Sequence, residues 1–156
     1  MKVWGEIYKD KKTGLFVIKL PIVEAITQDD TVEGAVEAIR EVIELYDENL
    51  TFSLTLHDNK SFYLTTDDTK SFLALVIKKQ REAQGISLSS VAEKLGYSSR
   101  NSVYDYESGK TEPTFKKFSD LLGSLDLDLE INIVKSKKGK MNPPEKSLNV
   151  RKRVGG

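Results

Sequence analysis

Beyond about residue 66 the hydrophobic pattern of the chain becomes mainly helical, and this limits the fold to a sheet-bearing half followed by a helical half. In residues 2–9, Val3, Gly5 and Ile7 fall on one side of a period-2 alternation. Asp10–Gly14 reads as a turn and Leu15–Leu20 as the returning strand of a hairpin. Pro21 closes that strand because it has no N–H to donate, and Val23–Ile26 is expected as a short third strand. Asp30 is then expected to cap a helix, with Glu33 three residues on. Val32, Ala35, Val36, Ile39, Val42, Ile43 and Tyr46 recur every three or four residues and keep one face apolar to about Asp47. Leu50–Leu56 and Ser61–Thr65 predict two more strands around the polar turn His57–Lys60.

Beyond Thr66–Thr69 the spacing predicts helices over 70–84, 88–95, 99–108 and 114–125, divided by Gly85, Gly96, Gly109 and Pro113. Leu127–Val134 alternates once more and is expected as a last strand. The expected fold class is α+β, with a small, largely antiparallel βββαββ sheet unit covered by one helix, then a helical domain. The expected domains are 1–66 and 70–134. A basic tail, 135–156, holds too few apolar residues to pack and is expected to be disordered.

The net charge of zero conceals a division. Residues 1–69 hold 7 of the 24 basic residues but 14 of the 24 acidic ones, so the second half is basic. Halves of opposite sign suggest different partners, or simply attraction for each other. The chain has no cysteine, which excludes disulfides and thiolate metal sites. It has no apolar run of the ~18 residues a membrane-spanning helix needs. Residues 1–6 show no secretory signal, so the cytoplasm is the expected compartment and no membrane partner is expected.

Leu88–Tyr104 has the physical makings of a helix-turn-helix. Ala92 lets a second helix cross closely, Gly96 supplies the positive φ of a sharp turn, and Ser98 or Ser99 can cap the next helix. Inward residues of that helix are Val103 and Tyr106. The flanks, Lys78–Ser87 and Tyr106-Glu107-Ser108-Gly109-Lys110-Thr111-Glu112-Pro113, resemble the Xre/Cro-type helix-turn-helix family over about 70–126. Phe115, Phe118, Leu121, Leu122 and Leu125 match the apolar face of its closing helix. Leu88 stands where that family usually has Gln, and the turn through Tyr97-Ser98-Ser99 is one residue longer than usual.

The resemblance implies double-stranded operator DNA as a partner, with Ser99, Arg100, Asn101 and Tyr104 reading bases in the major groove. Arginine suits guanine and asparagine suits adenine. Lys94, Ser98, Lys110 and Thr111 are expected at phosphates. The late strand needs a cover for Leu127, Leu129, Ile131 and Ile133; pairing with its copy in a homodimer would supply one, as would docking on its own domain.

The segment Leu20-Pro21-Ile22-Val23-Glu24-Ala25-Ile26-Thr27-Gln28-Asp29-Asp30-Thr31, with the helix after it, resembles the HicB antitoxin family over about 2–65, with Asp29 in place of a usual Gly. That resemblance implies a partial ribonuclease H-like fold and a HicA-like toxin, a small basic ribonuclease, as partner. The alternative is a stand-alone regulator whose first domain senses a ligand or oligomerises. Ribonuclease H chemistry needs carboxylates converging on Mg²⁺ from neighbouring strands. Glu6 lies in a strand, whereas Glu24, Asp29 and Asp30 fall in loops and caps, so no enzyme activity, metal or cofactor is expected. His57 is expected at the surface, and Trp4 in a core or an interface.

Overall fold

The computed structural model describes residues 1–58 and 60–128. Strands β1 (Lys2–Lys9), β2 (Phe16–Leu20), β3 (Ala25–Asp29), β4 (Ser53–Asp58) and β5 (Ser61–Thr65) form one sheet in the order β3-β2-β1-β5-β4. Every pairing is antiparallel. Helix α1 (Val32–Tyr46) lies across β3 and β2 and buries Ala35, Val36, Ile39 and Ile43, as its spacing predicts. The helices α2 (Thr69–Ala83), α3 (Leu88–Lys94), α4 (Asn101–Glu107) and α5 (Phe115–Ser124) follow. The fold is α+β.

Three local expectations are corrected. The third strand begins at Ala25 rather than Val23, because Pro21–Val23 coil into a 3-10 turn that sinks Val23 into the core. Glu24 closes this turn in the left-handed region (φ 53°), its N–H donating to the Pro21 carbonyl. The cap of α1 is Thr31, not Asp30. Its Oγ accepts the Gly34 amide at 3.0 Å, while Asp29 Oδ1 accepts from the Thr31 amide at 3.1 Å. A Cβ at residue 34 would fall onto the Asp29 carboxylate, so glycine there and aspartate at 29 fit one another. The fourth strand begins at Ser53 rather than Leu50, because Asp47 accepts the amides of Asn49 and Leu50 and holds the chain in a turn.

One continuous core runs from the sheet into the helices, from Ile18, Ile39 and Phe62 to Phe72, Ile77, Val103 and Leu121. The segment at the expected boundary is anchored: the Thr66 hydroxyl donates to the Thr51 carbonyl (2.6 Å) and its amide to the Met1 carbonyl (3.0 Å). Buried Gln80 of α2 shares the two hydrogens of Nε2 among the carbonyls of Pro21 (2.9 Å) and Ile22 (3.1 Å) and Glu24 Oε1 (3.1 Å). It thereby ties α2 to the 3-10 turn, whose Pro21 carbonyl also accepts the Glu24 amide. Of the late strand, only Leu127 and Asp128 are described, and Leu127 donates its amide to the Leu122 carbonyl. Leu129, Ile131, Ile133 and the tail 135–156 lie outside the described residues.

Candidate nucleic-acid interface

Ser87 starts α3 by accepting the Ser90 amide at 3.1 Å, and Val91 and Ala92 turn inward. The helix stops in a Schellman motif. Tyr97 donates its amide to the Ala92 carbonyl (2.8 Å) and Gly96 to that of Glu93 (3.0 Å), with Gly96 at φ +69°. Ser99, rather than Ser98, tightens the start of α4: its Oγ accepts the Asn101 amide at 3.1 Å. The regular helix therefore begins at Asn101, two residues later than the spacing predicts, and Arg100 is its first flanking residue.

Val103 and Glu107 of α4 face the core, and Tyr106 is half-buried. Ser98, Ser99, Arg100, Asn101 and Tyr104 are exposed, Tyr104 by 55%. The structure thus brings the expected base-reading residues together at the start of one short helix. Among the described residues the Arg100 and Asn101 side chains make no hydrogen bond or ion pair within the chain, so their donors are free for an external acceptor. The expected phosphate residues are less alike. Ser98 and Thr111 are exposed, and Lys110 reaches Asp105 at 3.3 Å while remaining largely open. Lys94 donates to the Ser124 carbonyl at 2.8 Å, which holds its ammonium at the end of α5.

One residue pair central to the site escaped the sequence reading. Arg81 of α2 grips the buried Glu107 of α4 through Nε–Oε1 (2.6 Å) and Nη2–Oε2 (2.9 Å). Its Nη1 donates to the Ile86 carbonyl at 2.8 Å, joining the first helix, the turn after it and the recognition helix. The Glu107 carboxylate holds the guanidinium pKa above its ordinary value. The two residues are 26 apart in sequence and share no periodicity, so only the fold pairs them.

The family model described as Helix-turn-helix matches residues 77–132. The match assigns residues 77–132 to an Xre-type helix-turn-helix domain. The Xre-type domain contains α3, α4, α5 and the end of α2, and it marks the chain as a DNA-binding regulator. No curated protein matches the chain. Among the described residues no cluster of three His, Asp or Glu could hold a metal ion, and no helix is long and apolar enough to cross a membrane.

Proposed function

We propose that the Xre-type domain represses transcription by placing the start of α4 in the major groove of operator DNA. Arg100 and Asn101 are the base readers, Ser99 and Tyr104 their neighbours at the groove, and Ser98, Lys110 and Thr111 the phosphate contacts. The observation that carries this reading is the pair of exposed, unengaged side chains at Arg100 and Asn101 beside a helix fixed through Val103 and Glu107. In titrations of the promoter DNA and its single-base variants, Arg100→Ala is expected to lose about 1–3 kcal/mol of discrimination at one base step. An equal loss on every variant would make Arg100 a phosphate contact and overturn its role as a reader.

The finer reading, an antitoxin that represses its own operon, rests on the HicB resemblance. Its support is the exposed carboxylates of Glu33, Glu41 and Glu44 on α1, a surface suited to fast capture of a basic protein. Co-expression with a small basic protein encoded beside it is expected to relieve that protein's growth arrest. Persistent arrest in the presence of soluble full-length chain would leave a regulator without a toxin partner.

A further inference from the structure

The sheet has a second face, and among the described residues no element covers it. Alternation places Lys2, Trp4, Glu6 and Tyr8 of β1 on that face, with Val17 and Lys19 of β2 beside them. A solvated sheet face ordinarily carries polar residues. Here Trp4 is 45%, Tyr8 43% and Ile26 57% exposed. Trp4 is held upright by edge contacts with Tyr63 (4.6 Å between ring centroids) and His57 (5.5 Å). Exposed aromatic surface of this kind marks an interface.

We infer that this face is a self-association surface, on which the sheet packs against the same sheet of a second copy of the chain. The cross-strand register supplies the argument. Glu6 stands opposite Lys19, and Tyr8 opposite Val17. A two-fold axis lying along the strands, between β1 and β2, exchanges the two strand positions. Each Glu6 then lies over the partner's Lys19, and each projecting Tyr8 over the partner's Val17, which is only 8% exposed and lies low. Trp4, farther along β1, then faces the end of the partner's β2, beside the hollow lined by Glu6, Lys19, Pro21, Glu24, Ala25 and Ile26. Charge meets opposite charge and the projecting Tyr8 ring meets a smaller, low-lying side chain, as a patch paired with itself requires. A nucleic acid fits less well: Lys2 and Lys19 are offset by Glu6 and Asp58, which leaves nothing to attract a polyanion. Sheet-on-sheet packing of this sort is the usual way of covering two apolar sheet faces.

Trp4 is the only tryptophan, so its emission reports this face alone. Light scattering of the full chain is expected to show a dimer that dissociates on dilution, with Trp4 emission shifting to the red as it does so. Glu6→Lys and Lys19→Glu, each checked for an intact fold by circular dichroism, should each weaken association about tenfold or more. Mixing the two single variants should restore it, because each then meets an opposite charge only on its partner, a rescue that the intrachain Glu6 and Lys19 neighbours cannot produce. A chain that stays monomeric at every concentration overturns the inference and leaves a different protein as the occupant. So does an oligomer whose Trp4 emission never shifts, which would assign association to another surface such as Leu127–Val134. Loss of operator binding by Arg100→Ala leaves this result untouched, so the two proposals fail separately.

Discussion

Replacing Arg81 by alanine is expected to cost about 3–5 kcal/mol of folding stability, the penalty for leaving a buried carboxylate without its partner. The Glu107 side chain is 4% exposed and accepts two bonds from the guanidinium, so water cannot take over that role without opening the contact between α2 and α4. The same substitution frees the Ile86 carbonyl. Urea denaturation should therefore show a large drop in midpoint, and DNA binding should fall with it at any temperature where α4 loosens. The discriminating control is the pair Arg81→Met with Glu107→Leu, which removes both charges at similar volume. It should recover most of the loss, because replacing both partners of a buried ion pair is often near neutral. If the double variant is as unstable as Arg81→Ala, the ion pair contributes through a specific geometry that apolar packing cannot replace.

The second large effect is expected at Gly5 in the middle of β1. A Cβ there would enter the Phe62 ring on β5 and lie 2.9 Å from the Lys19 carbonyl on β2. Neither neighbour can give way easily, because Phe62 is fully buried and the carbonyl belongs to the adjacent strand's backbone. Gly5→Ala should cost roughly 1–3 kcal/mol by overpacking, and Gly5→Val more. Combining Gly5→Ala with Phe62→Leu should cost less than the sum of the two single changes, since the smaller side chain vacates the space the methyl group needs. Thermal melts of the two single variants and the double measure that coupling; strict additivity would show that the ring is not the obstacle.

These two sites show where sequence reasoning stopped. Among the described residues local pattern located the five strands and five α-helices, because period, caps and turns are written in consecutive residues, but it missed the 3-10 turn at Pro21–Val23. The alternation of Val3, Gly5 and Ile7 survives as the buried side of β1, and the spacing from Val32 to Tyr46 survives as α1. Gly96 and Ser87 perform the turn and cap that their chemistry predicts. Boundaries shifted where a side chain competed for a backbone group, as Asp47 does before β4 and Thr31 does in place of Asp30. Gly5 reads in sequence as one small residue on an alternating face, and nothing local says that a phenylalanine 57 residues away needs its space.

By itself the sequence determined the α+β class, the order of elements, the helix-turn-helix and the exposed group at Ser99, Arg100, Asn101 and Tyr104. All of these follow from periods, caps and turns confined to a few consecutive residues. Only the tertiary structure decided that α2 holds the 3-10 turn through Gln80 and that Arg81 is bound to Glu107. It also decided that the sheet's open face carries Trp4, Tyr8 and Ile26. Those features depend on which strand lies beside which, and on what covers each face. Strand neighbours such as β1 and β5 are separated by most of the first half of the chain, so no local period encodes their meeting.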